Sequence, residues 1–379
     1  MIYLDNAATT FPKPRSVYQV WQRAMSVCGA NPGRSGHRFS QDTAEQVYKS
    51  RETCAEFFGA DPENTVFTLN CTHALNFAVK GIARHGCNFV ISDMEHNAVF
   101  RPVYAAAEAA EGTVSIFEVT ENDEQTVINA EHAITPNTAA VIFTAASNVI
   151  GLRTPVKAIA ELCEKNGICC ILDAAQGAGT LPITLDEGVN IICTSGHKGL
   201  YGPMGTGLMI SDGKYELNTL IEGGTGSASE SVHQPDFLPD RFESGTPNTA
   251  GAVALGEGVR SVAQHTPRAV LNHELNLCER FCKGISKLPH VTLYNNITSA
   301  NRDHYAPVVS FNIDSLNSNE ATRLLSDKGF CLRGGLHCAP LAHKKLGTLD
   351  RGTVRFSPGM FTSAREVDAL INTIAFLHR

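Results

Sequence analysis

Lys198 lies in Ser195-Gly196-His197-Lys198, between two short apolar runs, Val189 to Thr194 and Leu208-Met209-Ile210, with Gly199, Gly202, Gly205 and Gly207 close behind it. Lysine ordinarily reaches solvent, so an exposed amine on a tight turn is one reading of this stretch. The other is a lysine pinned at the end of a buried strand, where its amine can serve as a nucleophile. Asp173 closes the preceding apolar run, Ile168-Cys169-Cys170-Ile171-Leu172, and opens Asp173-Ala174-Ala175-Gln176. Far downstream, Cys338 ends Arg333-Gly334-Gly335-Leu336-His337-Cys338. A cysteine that is exposed and set beside Arg and His has surroundings that favour thiolate. A structural cysteine in a loop is the alternative there.

An Asp at one strand end and a Lys in the next strand-end loop suit pyridoxal phosphate. The lysine attaches the cofactor covalently, and the carboxylate keeps the pyridinium nitrogen protonated so that the ring can draw in electrons. Asp173-Ala174-Ala175-Gln176 with Ser195-Gly196-His197-Lys198 resembles the cysteine desulfurase group of the class V aminotransferase family. It is most similar to the branch with SufS-type desulfurases and selenocysteine lyases. The supporting motifs recur from residue 3 to residue 355, nearly the whole chain.

The elements that must position these groups are legible as an alternation. Apolar runs at Thr65–Leu69, Asn88–Ser92, Ala139–Thr144, Ile168–Leu172 and Val189–Thr194 read as strands, with helical periodicity in Gln41–Phe58 and Pro155–Asn166. Such alternation from residue 65 to about 210 predicts a mainly parallel sheet with helices on both faces. Thr72, His96, Asn148, Asp173 and Lys198 then fall at strand ends on one edge, where open α/β sheets bind ligands. Asn70-Cys71-Thr72 begins a helix after a strand; free N–H groups with a Thr make a phosphate cradle or a plain N-cap. A smaller unit follows. Its elements are a helical run from Arg268, a strand at Val308–Ile313, a helix Ser318–Lys328 capped by Ser318, a strand at Thr353–Ser357 and a closing helix Glu366–Leu377.

The resemblance implies a fold-type-I pyridoxal-phosphate enzyme, α/β in class. Residues 1–262 form its large cofactor-binding domain, with the arm 1–14 over the active site. Residues 263–379 form a smaller C-terminal α/β domain carrying the cysteine loop. It further implies that His96 stacks on the cofactor ring, that Gln176 and Asn148 tune the ring hydroxyl, and that Cys71, Thr72, Ser195 and His197 hold the phosphate. Gly245 and Thr246, in Ser244-Gly245-Thr246-Pro247, reach the phosphate of a neighbouring subunit, which implies a homodimer. Arg355 clamps the substrate carboxylate through paired guanidinium bonds, with Arg333, Asn148 and Ala7 (and, more loosely, Ala8) beside the substrate. Cys338 takes sulfur from L-cysteine as a persulfide, leaving L-alanine, and the same scaffold serves L-selenocysteine. Three departures from the family pattern stand out: Cys71 and His73 flank Thr72 where a small hydroxyl residue and a Glu are usual, and Leu336-His337 stands where SufS-like chains often pair histidines. The loop also lacks the long insertion of the IscS-type branch.

Bulk properties narrow the setting. A chain of 379 residues with a net charge of −7 and no long basic run is unsuited to a nucleic-acid surface. No apolar stretch reaches spanning length, and Met1-Ile2-Tyr3-Leu4-Asp5 has no signal-peptide pattern, so a cytoplasmic protein is expected. Most of the 12 cysteines sit in apolar or helical patterns as small reduced core residues. Cys278 and Cys282 share a helix face, yet no Cys/His pair at zinc spacing follows, so no metal is expected. Arg34, within the Gly/Pro-rich loop Gly29–Gly36, and the following His37 face either cleft or water. Besides selenocysteine lyase, the readings left open are another class V aminotransferase or C–S lyase, and a non-catalytic sulfur carrier. A possible sulfur-acceptor protein is the further partner.

Overall fold

The computed structural model describes residues 1–33, 36–314 and 316–377, so Arg34 lies outside the described residues. The chain opens with β1 (Ile2–Tyr3) and a polar arm, then helices Arg15–Val27 and Arg38–Phe57. Next come β2 (Thr65–Thr68), β3 (Asn88–Ser92), β4 (Thr113–Phe117), β5 (Thr138–Thr144), β6 (Cys169–Asp173), β7 (Ile191–Ser195) and β8 (Gly207–Ser211). These pair in the order β2-β8-β7-β6-β5-β3-β4. β8 runs antiparallel to both of its neighbours, while β7, β6, β5, β3 and β4 are parallel along the sheet. The expected mainly parallel sheet is therefore present, with one reversed strand.

Burial explains the apolar runs. Successive residues of a strand point to opposite faces, and here both faces are covered. Val141, Phe143, Cys170 and Leu172 join one core, with Ile159 and Cys163 of helix Val156–Asn166. Ala140, Ile142, Cys169 and Ile171 join the other, with helices Cys71–Ile82 and Asn97–Ala109. Helix Val156–Asn166 stops at Gly167, whose φ of 65° suits a residue without Cβ.

A second sheet combines β9 (Val291–Leu293), β10 (Val309–Ile313), β12 (Arg333–Gly335) and β13 (Thr353–Phe356) in the antiparallel order β12-β13-β10-β9. Helices Pro267–Ile285, Ser318–Asp327 and Ala364–Ala375 accompany it, and in its core Phe281 stacks on Phe356 and meets Phe311 edge to face. The remaining strand, β11 (Phe330–Cys331), pairs in parallel with β1, so the arm belongs spatially beside the cysteine loop.

Two capping details differ from expectation. Asn317, not Ser318, caps helix Ser318–Asp327: its side chain accepts from Glu320 N while the Glu320 carboxylate accepts from Asn317 N. The Ser318 hydroxyl instead donates to the Arg351 carbonyl at 2.6 Å. The closing helix begins earlier, behind a matching box between Ser363 and Glu366.

Candidate active site

The carboxyl ends of β5, β6 and β7, with the loops after β2 and β3, enclose a cavity of about 260 Å3. Cys71, Thr72, His96, Asn148, Asp173, Gln176, Ser195, His197 and Lys198 line it, joined by Ala7 and Ala8 of the arm and by Arg333 and Arg355 of the second sheet. Sequence reasoning thus assembled this constellation from segments 350 residues apart. Gly245 and Thr246 do not line it; both are exposed, and Thr246 Oγ1 accepts from Asn31 at 3.3 Å. Cys338 is also outside the lining, at the rim. His37 is exposed and caps helix Arg38–Phe57 through Nδ1, which accepts from Ser40 N at 3.2 Å.

Each side chain is fixed by the element that carries it. Asp173 is 2 % exposed, and its Oδ1 accepts from Ala175 N at 2.9 Å and from the Cys71 thiol at 3.3 Å. Burial and the neighbouring Asp173 carboxylate push the Cys71 pKa well up, so Cys71 is a neutral donor. Lys198 opens onto the cavity but is otherwise enclosed, and desolvation lowers its pKa against the opposing pull of Asp173. An amine held closer to neutrality is a better nucleophile.

His96 caps helix Asn97–Ala109, its Nδ1 accepting from Ala98 N at 3.0 Å. Burial first, then the Lys198 charge, lowers its pKa to about 4, and burial with the Lys198 and Lys13 charges does the same for His197. Both rings are neutral near pH 7. Ser195 Oγ accepts from Cys71 N at 3.1 Å, joining the end of β7 to the first turn of helix Cys71–Ile82. Gln176 donates to the Ala7 carbonyl at 3.0 Å, so its amide nitrogen holds the arm.

The cysteine loop is seated on this rim by backbone contacts. Asn148 Nδ2 donates to the His337 carbonyl at 2.7 Å, and Asn97 N donates to the Cys338 carbonyl at 2.7 Å. Cys338 is the exposed cysteine among the described residues, and Arg333 Nη2 lies 3.7 Å from its Sγ. The other expected source of positive charge is corrected: His337 is 2 % exposed, with Nε2 against the Thr353 carbonyl at 3.0 Å. Burial, then the Arg355 charge, lowers its pKa to about 2, so it offers the thiol no charge near neutral pH. Asn148 likewise spends an amide hydrogen on the loop.

Sequence reasoning missed two carboxyl groups. Asp5 accepts from Arg355 Nη2 at 2.7 Å. Glu95 is fully buried beside His96, accepting from the Ser92 hydroxyl and, at 2.9 Å, from Thr144 N. An acid next to the small residues of an arm over the entrance, and an acid next to a ring at a strand end, were the available signals. Among the described residues no cluster of three metal-ligating side chains occurs, and no helix is long and apolar enough to cross a membrane.

The residues present fit pyridoxal phosphate. His197 Nδ1, Asn148 Oδ1 and Arg355 Nε are buried around the cavity without a hydrogen-bond partner among the described residues. Buried polar atoms are normally paired; an anionic ligand would accept from Arg355 Nε, and a ligand hydroxyl would donate to Asn148 Oδ1. A helix N-terminus stands ready for a phosphate at Thr72, and a lysine amine stands across from a buried carboxylate.

The fold is that of a fold-type-I pyridoxal-phosphate enzyme. An apo structure of a cysteine desulfurase from Thermococcus onnurineus superposes with a TM-score of 0.91 at 28% identity, covering 99% of this chain and 94% of that one. The family model for Aminotransferase class-V matches residues 2–370, and the chain belongs to that family. A probable cysteine desulfurase of Vibrio cholerae is 30% identical over 99% of this chain and 93% of its own length. A probable cysteine desulfurase of Methanothermobacter thermautotrophicus is 29% identical over 98% of this chain and 94% of its own length.

Proposed function

We propose that this protein is a pyridoxal-phosphate-dependent cysteine desulfurase of the SufS-like branch, converting L-cysteine to L-alanine with a persulfide left on Cys338. The observation that carries the reading is the bridge made by Arg333, which lines the cavity while its guanidinium touches the Cys338 sulfur. A reactive thiol held at the rim of a lysine-containing cavity is what separates a desulfurase from an aminotransferase.

Lys198, Asp173, His96, Gln176 and Asn148 would hold the cofactor ring, and Cys71, Thr72, Ser195 and His197 its phosphate, with Gly245 and Thr246 supplied by a second copy. Bound there, the cofactor supplies an electron sink for the carbon next to the amino group. Lys198, with its lowered pKa, moves the proton at that carbon. Arg355 orients the carboxylate, with Asn148, Arg333 and Ala7 around the rest of the substrate. Cys338 attacks as thiolate at the substrate sulfur. The new S–S bond forms as the substrate C–S bond breaks, and the electron pair left on carbon collects a proton to give alanine. Arg333 Nη2, 3.7 Å from Sγ, orients the attacking sulfur.

We place the protein in the cytoplasm as a homodimer, divided at residues 262 and 263, passing its sulfur to an acceptor protein. Incubating it with L-cysteine, L-selenocysteine and a keto acid, and measuring sulfide, selenide and transamination, tests the reading. Transamination without alanine-linked sulfide release would overturn it.

A further inference from the structure

Arg333 and Arg355 stand directly opposite each other on β12 and β13. Like charges so placed repel across an antiparallel pair, and Arg355 is only 1 % exposed. The two guanidinium groups have different neighbours. Arg333 rests against Cys338. Arg355 donates through Nη2 to Asp5 at 2.7 Å and through Nη1 to the Asn148 carbonyl at 3.1 Å.

Asp5 is not part of the cavity wall, whereas Arg355 is. The carboxylate takes up Nη2 and the Asn148 carbonyl Nη1, while Nε has no partner among the described residues. The position of Asp5 itself is set by backbone. Asp5 bridges Ser357 in parallel, Ser357 N donates to the Leu4 carbonyl at 2.9 Å, Asn6 N donates to the Ser357 carbonyl at 3.1 Å, and Ala7 N donates to Ser357 Oγ at 3.0 Å. This register runs alongside the strand that carries Arg355, two residues away.

We propose that Asp5 is a positioning residue for the substrate carboxylate, acting through Arg355: it holds the buried guanidinium in place and aimed at the cavity against the repulsion of Arg333. The proposal rests on the desulfurase reading in taking Arg355 as the carboxylate clamp. It assigns the N-terminal arm a part in substrate affinity as well as in covering the entrance.

The test compares two small ligands of the cofactor-loaded protein by calorimetry: L-alanine, and ethylamine, which has the same amine and no carboxylate. Asp5→Asn should weaken L-alanine binding on the order of tenfold to a hundredfold, the range of one charge-assisted hydrogen bond, and leave ethylamine unchanged. KM for L-cysteine should rise in parallel with kcat changed far less. In an Arg355→Gln background, Asp5→Asn should have no additional effect on L-alanine. Equal losses for both ligands, or a further loss in that background, would show a merely structural role and overturn the proposal. A wild-type protein without preference for L-alanine overturns the clamp and this proposal with it; a preference kept intact by Asp5→Asn overturns the Asp5 role alone. Should Asp5→Asn fail to fold, Asp5→Ser, which also removes the charge, is read against the same two ligands with the same outcomes.

Discussion

His337 and Cys338 are consecutive non-glycine residues with φ of 49° and 58°. The left-handed region costs such residues about 1–2 kcal/mol each, and strain of this kind persists only where surrounding contacts over-determine it. Those contacts are the buried His337 ring on Thr353 and the two loop carbonyls held by Asn148 and Asn97. Together they turn the Cys338 side chain outward, toward Arg333. Cys338→Ala should keep the cofactor absorbance and still bind L-cysteine, yet lose persulfide formation; unchanged sulfide release would make Cys338 structural. Selenide release by the same variant should survive in part, because a selenolate is already ionised near neutral pH and the C–Se bond is weaker. Lys198→Ala should abolish covalent cofactor attachment and turnover. Borohydride reduction and peptide mapping of the wild type should put the label on Lys198, and a label on another lysine sinks that assignment.

Among the elements, β12 carries the most function per residue. It is three residues long, two of them glycine, and its Arg333 serves both cavity and thiol. A Cβ on Gly334 would sit 2.5 Å from the Ser318 carbonyl oxygen and 2.8 Å from Thr322 Oγ1. Gly334→Ala should therefore push β12 away from helix Ser318–Asp327. A fall in stability of about 1–3 kcal/mol and a lower rate of persulfide formation are expected, read by thermal unfolding and sulfide assay; a fully active variant would show that the strand can shift harmlessly. This strand was illegible in the sequence, because Arg-Gly-Gly has neither alternation nor β-branched residues, and pairing with β13 imposes its conformation. The edge strand β4 and helices Asn97–Ala109 and Asp123–Ala133 were passed over as well. β4 reads Thr-Val-Ser-Ile-Phe with only its last residue buried, so its pattern lacks the apolar density of the central strands. The central strands were readable for the opposite reason: burial on both faces demands near-continuous apolar runs. The site's strand-end residues were legible through those runs. Asp5 was not, since nothing local to it reveals a partner 350 residues away.

At the scale of the molecule, titration and assembly decide behaviour. Buried Glu95 and Glu274 have pKa values raised to about 8, chiefly by desolvation. Each binds a proton more tightly when folded, so its contribution is fully present below the unfolded pKa near 4.5 and is lost as pH rises through about 8. His96 and His197, lowered to about 4, act in the other direction: their contribution is present above about 6.5 and lost as pH falls through 4. Stability should fall on both sides of a mildly acidic optimum, and Glu274→Gln should flatten the alkaline limb by up to about 1.4 kcal/mol per pH unit. Urea unfolding across pH 4.5 to 9 measures this, and an unaltered alkaline limb would refute it. Thr246 is exposed and lies outside the cavity, so in the proposed homodimer it would serve the phosphate of a second copy. Cofactor affinity should then depend on dimerisation, and a monomer retaining full cofactor at low protein concentration would refute it. The pairing of β1 with β11 also has a consequence for biosynthesis. Residues 2–5 leave the ribosome more than 300 residues ahead of their partners at 330–331 and 357. At about 5–20 residues per second the arm waits for something between 15 and 70 seconds, roughly, as an unpaired strand on a nascent chain. The cavity wall that Ala7 and Ala8 complete is assembled only after residue 357 has emerged.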